Sequence, residues 1–508
     1  MSCTTNTTTK RPFKLSSLTF RLILIFHFSL FTFHYSLSQN NPDIKRTMHW
    51  YFGFGAGLDF SSGSPVVDTS GRTWAKEATV VMSDTCGELL FYAQEDTIFN
   101  RKHQMMENGD ISGCCNITQM VCVPKPECDS LYYLFYSWNG GDWNGQLQYS
   151  IINTYANGGL GKVIEKDRVL LDTLVTEKVA ATMHCNGTDY WIASKQLTWP
   201  IGRNIYAWLL TANGIDAVPV VSPVASMWEE NGDGALKFSP DGSMAACELT
   251  NLYNPYKKDS SYVDIYKFNN CTGEFSDPIT IRQAWPYGCS FSPDNTKLYV
   301  STGMDCLSIG YTDTIYTKQF DVSVFDQTAV ENSEIILRKG PIADSFQIGI
   351  DGKMYVIDSD TLLSGLGCGS IGVVSNPNAP GLLCGLTNEA IDLQGRTVWA
   401  RFPDFVESFF SSFEYNNCYS SAPGSEDGQE NPFRVFPNPF AEFINIESEQ
   451  TYSEREIKII NLQGTILAEY LSQNGSPYDL SFLPSGIYIL HITSTTDNLV
   501  THIKIVKL

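Results

Sequence analysis

Histidine and positive charge are what this 508-residue chain has least of. It contains seven histidines, and its 34 lysines and arginines face 55 aspartates and glutamates, for a formal net charge of −21. A surface of that sign repels phosphate backbones and anionic membranes, which excludes sequence-independent nucleic-acid binding. No HExxH pair, Gly-x-Ser-x-Gly elbow or Walker loop occurs, so the signatures of zinc protease, serine hydrolase and nucleotide chemistry are missing. The Gly53–Gly57 run is aromatic and has no helix pattern after it, which argues against a phosphate loop. His184 precedes a turn and reads as a packing or turn residue. No catalytic residue, cofactor or metal is assigned on these grounds.

Long apolar runs are also missing. The longest, Leu22 to Phe33, is about 12 residues where about 20 are needed to span a bilayer. It follows Lys10, Arg11, Lys14 and Arg21 and precedes Ser36, Ser38 and Gln39, the layout of a signal peptide over residues 1–39 with cleavage near Ser38–Gln39. Removing its four bases takes the balance to −25 and leaves a mature chain with no transmembrane segment.

Apolar residues, by contrast, make up 43% of the chain and aromatics 13%, enough for a large core. Thirteen of the 14 cysteines follow residue 39, which fits an oxidising compartment. Cys115, Cys122 and Cys128 have no zinc-like spacing and no neighbouring histidine, so disulfides are the better reading; the odd count leaves at least one thiol without a partner in the chain.

One short unit recurs: an apolar strand, a turn rich in Asp, Gly, Ser or Pro, and a second strand. Ala235–Leu249 and Gly288–Ser301 are the clearest copies. The turn aspartates Asp84, Asp129, Asp189, Asp241, Asp294 and Asp351 are spaced by 45, 60, 52, 53 and 57 residues, the size of a four-stranded propeller blade. Second strand pairs such as Leu147–Ile152, Ile205–Leu210, Val263–Phe268 and Ile315–Phe320 follow. The fold class expected is all-β: a β-propeller of about seven blades over residues 48–415, its seventh blade made jointly by Trp50–Val67 and Thr397–Phe410, because a closed ring leaves no open edge. A polar linker over residues 419–432 then leads to a small immunoglobulin-like β-sandwich over residues 433–508. Ser-Pro-Asp-Gly is ordinary turn chemistry, so the aspartates are read as turn caps rather than calcium ligands.

In the last segment Phe436-Pro437-Asn438-Pro439 is followed by the strand and turn Ile457–Gly464, then Leu483-Pro484-Ser485-Gly486-Ile487-Tyr488, and the chain ends Lys504-Ile-Val-Lys507-Leu508. Together these resemble the type A C-terminal sorting domain of the type IX (Por) secretion system of Bacteroidetes-type bacteria. The resemblance implies recognition by the secretion machinery, with Pro437, Asn438, Pro439, Gly464, Pro484, Gly486, Tyr488, Lys504 and Lys507 as the sorting motif, and a passenger secreted or attached to the outer-membrane surface. Each residue also has a local role: the prolines fix extended backbone, the glycines allow turns and Tyr488 sits in an alternating strand. Trp50–Phe60 and Arg401–Val406 resemble the opening and closing strands of surface propellers that carry this tail.

Two loops mix the side chains that bind sugars or perform acid–base chemistry. Trp138-Asn-Gly-Gly-Asp142-Trp143 sets indoles among amides and a carboxylate, and Trp228-Glu229-Glu230-Asn-Gly-Asp233 gathers carboxylates just before a blade strand. The leading expectation is an exported binding or adhesion module for glycan or protein. The alternative is a secreted polysaccharide hydrolase or lyase working through Glu229, Glu230 or Asp233.

Overall fold

The strand–turn–strand unit is built twice with the same atoms in the same places. Leu236–Phe238 pairs with Met244–Leu249, and Pro286–Phe291 with Lys297–Thr302, each antiparallel. The hydroxyls of Ser239 and Ser292 donate to Asp241 and Asp294 at 2.6 Å, and those carboxylates accept the amides of Ser243 and Thr296. The next residue, Gly242 or Asn295, has φ of 69° or 64°, the left-handed conformation these two residue types tolerate best. Asp84 and Asp351 accept amides of their own turns in the same way. The aspartates therefore close hairpins.

These hairpins belong to a computed structural model that describes residues 41–113, 118–138, 145–173, 175–197, 203–225, 234–249, 261–302, 315–340, 342–359, 362–363, 367–411, 433–436, 440, 442–448, 455–461, 466–472, 477–484, 486–494 and 500–507. The expected signal peptide, the linker over 419–432 and the two candidate loops beyond Trp138 lie outside the described residues. The chain divides into two compact units, Met1–Ser421 and Ala422–Leu508.

The first unit is a ring of seven sheets. Blade 1 is a three-stranded meander, His49–Phe52, Ala56–Asp59 and Val66–Val67. Six further antiparallel blades follow in chain order, with first strands Thr79–Ser83, Met120–Pro124, Val175–Met183, Leu236–Phe238, Pro286–Phe291 and Ile342–Ile348. Blades 2 and 3 touch at their outer strands through one parallel pair, Lys162 and Glu107. Four of these first strands are buried at every position, because both faces pack on neighbouring blades, whereas the outermost strands Ile335–Gly340 and Leu386–Asp392 face solvent on one side.

Aromatic pairs mark the seams: Tyr51 on Tyr92, Phe91 on Tyr132, Trp191 on Phe268 and Tyr299 on Phe346. The last seam closes the circle, Trp50 of blade 1 lying 5.3 Å from Tyr355 of blade 7. The disulfide Cys185–Cys271 joins the first turn of blade 4 to the last turn of blade 5. Cys122 and Cys289 are instead buried thiols, raised in pKa by that burial.

The expected closing strand is corrected by the structure. The two chain ends do meet, Phe54 bridging Trp74 on one side and Thr397 on the other, and Val398 bridging Cys368. Gly53 and Gly367 make this possible: a Cβ at Gly53 would sit 2.2 Å from the Thr397 oxygen, and one at Gly367 would sit 2.1 Å from the Val398 oxygen. Beyond Ala400, however, no ladder forms. Residues 401–411 are buried throughout and turn inward as extended chain and a short 3-10 helix, Glu407–Phe410. Pro403 has no amide to donate, and a segment buried on all sides has no free edge to zip onto.

The second unit is a two-sheet sandwich. Phe433–Phe436, Phe443–Ser448 and Tyr478–Asp479 form one sheet; Ile466–Ser472, Arg455–Asn461, Gly486–Ser494 and Val500–Lys507 form the other, in that order. Alternate residues Ile457, Ile459, Leu490 and Ile492 meet Phe440, Ile444, Ile446 and Leu483 in its core.

Candidate functional site

The structure describes few of the residues singled out from the sequence. Trp138 ends the second strand of blade 3, half-buried, while Asp142 and Trp143 lie outside the described residues. So do Trp228, Glu229, Glu230 and Asp233, although both anchors of their loop are described. Ala225 donates its amide to the Arg203 oxygen, and the Gly234 oxygen accepts from the Thr118 hydroxyl. In the tail, Pro437, Asn438, Pro439 and Gly464 lie outside the described residues, as does the Lys504 side chain. Tyr488 is buried and its hydroxyl donates to the Pro484 oxygen at 2.7 Å; Gly486 begins that strand; Lys507 lies 5.4 Å over the Phe440 ring.

What the fold brings together is a polar cluster on the ring axis. The Lys237 ammonium, in the first strand of blade 5, donates to Gln347 of blade 7 and Glu407 at 2.9 Å each and pairs with Asp404 at 3.4 Å. Three donors meet three acceptors, which satisfies the ammonium. Burial alone pulls its pKa down, but Glu407 and Asp404 outweigh that and hold it up, so it stays charged. Burial pushes both carboxyls up against the pull of Lys237. Gln119 of blade 3 donates to Asp404 and to the Leu236 oxygen and accepts the Leu236 amide.

A second group lies toward the end of the ring where the first strands start. The Arg401 guanidinium donates to the Tyr287 oxygen at 2.9 Å and stacks 5.0 Å over its ring, while the Tyr287 hydroxyl donates to Glu77 at 2.7 Å. Glu177 accepts the Thr118 amide, and Glu248 accepts the Ala235 amide at 2.8 Å beside Gly234. Glu248 is fully buried, and that burial outweighs Arg401 in raising its pKa. These charges are held by a backbone carbonyl, a tyrosine hydroxyl and backbone amides inside the ring, while Arg401 Nε, Glu248 Oε1 and Glu407 Oε2 are buried without a hydrogen bond among the described residues. Among the described residues no group of three His, Cys, Asp or Glu is placed to hold a metal.

Spacing along the chain carried no sign of the Lys237 cluster, because its members come from four separate segments, at Gln119, Lys237, Gln347 and Asp404–Glu407. The one signal was the Arg401-Phe-Pro-Asp404 stretch, which the sequence set as a strand and the structure sets as an axial strap.

The surface of the same end carries an aromatic group. Residues 71–76 alternate buried and exposed, placing Arg72, Trp74 and Lys76 outward, and Trp74 is 70% exposed. Phe54 stacks edge-on to Trp74 at 4.9 Å and approaches Trp399 at 6.3 Å, and the Lys76 ammonium lies 5.1 Å over the Trp399 ring.

Residues 434–507 match the family described as a secretion system C-terminal sorting domain. Among curated proteins, none matches the sequence. Of solved structures, PorZ, described as an essential bacterial surface component of the type-IX secretion system of Porphyromonas gingivalis, aligns at 9% identity and a TM-score of 0.32. That alignment covers 90% of this chain and 73% of that one. The Dos1 propeller aligns at 10% identity and a TM-score of 0.37, over 62% of this chain and 70% of that one. Both are distant likenesses, and the propeller assignment stands on the sheet order and the closed ring described above. No helix among the described residues is long and apolar enough to cross a membrane. The chain is a β-propeller protein that carries a type IX secretion C-terminal sorting domain, which directs it to the secretion machinery for release or attachment at the cell surface.

Proposed function

We propose that this protein enters the periplasm by the signal peptide over residues 1–39, is exported by its tail, and serves outside as a rigid binding or adhesion module for glycan or protein. The observation that supports this reading is the filled axis: Arg401–Ser411 is buried throughout at the centre of the ring, and Lys237 is held there by Gln347, Asp404 and Glu407. Chemistry with an outside ligand therefore falls to side chains at the ends of the ring, where a rigid scaffold presents loops. Purified full-length protein, screened on a glycan array and used as bait for surface proteins, is expected to retain a ligand without consuming it. Turnover of a polysaccharide with no stable ligand retained would overturn the proposal.

A further inference from the structure

We infer that the Trp74 group is a subsite for an acidic polysaccharide. The inference rests on the reading of the propeller as a binding module and names the ligand class and the residues. Three extended segments lie side by side here: the Ala75 amide donates to the Gly53 oxygen, the Gly55 amide to the Thr73 oxygen, and the Phe54 amide to the Thr397 oxygen. The backbone is thereby fixed by the ring closure itself, so the side chains it carries are presented without loop ordering, which lowers the entropy lost on binding.

An exposed indole beside an edge-on phenyl ring offers the flat apolar face on which the C–H side of a sugar stacks. A protein partner would also accept an indole, but the charge around it points elsewhere. Arg72 and Lys76 flank Trp74 on the same outward row, and the Arg396 side chain lies against Gly55, within 3.6 Å of where its Cβ would be. None of the three forms an ion pair among the described residues, in a chain where acids outnumber bases by 21. Grouping unpaired cations is unfavourable by mutual repulsion, and it suits a ligand that repeats a negative charge along a sugar backbone. Carboxylate and sulfate groups share that chemistry.

Trp74 and Lys76 lead into the first strand of blade 2, as Gly234 leads into that of blade 5. The subsite therefore faces the same end of the ring as the anchors of the acidic loop.

The test is affinity electrophoresis of the full chain in gels holding polygalacturonate, dextran sulfate or neutral dextran, with Trp74→Ala and the pair Lys76→Ala, Arg396→Ala compared at matched melting temperature. At least one anionic gel is expected to retard the wild type and neutral dextran to leave it unretarded. Each variant is expected to weaken binding about tenfold, and the charge pair to flatten its salt dependence. The two anionic gels separate carboxylate from sulfate as the group recognised. Equal retardation of wild type and variants, retardation by neutral dextran alone, or Trp74-dependent capture of a protein with no glycan affinity would each overturn the inference. If glycan binding persists in both variants, the subsite fails while the binding-module reading stands; if neither array nor bait yields any ligand, both fail.

Discussion

The Lys237 ammonium and the Glu407 carboxylate, 170 residues apart in sequence, meet at 2.9 Å on the axis of the ring. The contact ties the middle of the chain to the end of its first unit. Both side chains are almost wholly buried, so neither has water to fall back on.

Removing the cation should therefore cost more than the pair itself contributes. Lys237→Met leaves Glu407 and Asp404 without their cation, and breaking a buried pair from one side costs about 3–5 kcal/mol. The pH dependence follows from burial, which raises both carboxyls in the folded state. A carboxyl with a raised folded pKa favours the fold at acid pH, and that contribution is lost as pH rises through the folded pKa. Without Lys237 both rise further, so the deficit of Lys237→Met against wild type should shrink as pH is lowered from about 7.5 to about 5. Thermal unfolding of both proteins across that range checks it; a deficit independent of pH would mean that lost packing, rather than unpaired charge, sets the cost.

Ring closure depends on two glycines. A methyl at Gly53 would meet the Thr397 oxygen at 2.2 Å, and the residue has a φ of 55°. Gly53→Ala is expected to destabilise the first unit by about 2–4 kcal/mol, through the clash and the unfavourable backbone together. Gly63→Ala is the control: its φ is 82°, with nothing within 4 Å of the added carbon, so only the backbone cost of about 1 kcal/mol applies. Denaturant midpoints of the two variants should separate accordingly, and equal midpoints would remove the clash as the cause.

Much of the ring was legible because its information is local. Ser239-Pro240-Asp241-Gly242 and Ser292-Pro293-Asp294-Asn295 spell a turn in four residues, and burial between blades forces the flanking strands to be apolar at successive positions, as in Ala245-Ala246-Cys247. The strap was not legible for the opposite reason. Phe402, Phe405 and Val406 look like an apolar strand, and only the partners they find distinguish a ladder from a plug: Phe402 against Trp50 and Phe52, Asp404 against Lys237. Trp74 was missed as well, because a lone indole between an arginine and a lysine has no periodicity until Phe54 and Trp399 are folded beside it.

The disulfide should matter to stability more than to shape. Cys185 and Cys271 are 86 residues apart, and in the chain-entropy model closing a loop of that length contributes about 4.6 kcal/mol by restricting the unfolded chain. The Cys185→Ser, Cys271→Ser double variant is expected to keep the near-ultraviolet spectrum of the wild type and to unfold at lower denaturant. An unchanged midpoint would show that the bond adds nothing beyond the blade contacts.

The strap makes the last prediction. Residues 401–411 supply Asp404 and Glu407 to Lys237, Ser408 to the Met183 amide and its carbonyl to Asn41, and Phe409 to the ring of Tyr190. Every one of these contacts is internal to the first unit, so a chain ended after residue 421 retains them, whereas a chain ended after residue 399 keeps all seven sheets and loses the axis. Emptying it strands Lys237 without its two carboxylates and uncovers Trp50 and Phe52, a deficit comparable to the whole stability of an ordinary domain, about 5–15 kcal/mol. The longer chain should unfold cooperatively and resist limited proteolysis; the shorter one should be digested throughout and bind hydrophobic dye. Equal melting temperatures for the two would show that the sheets close without the strap, and the axial cluster would then be a consequence of the ring rather than a condition for it.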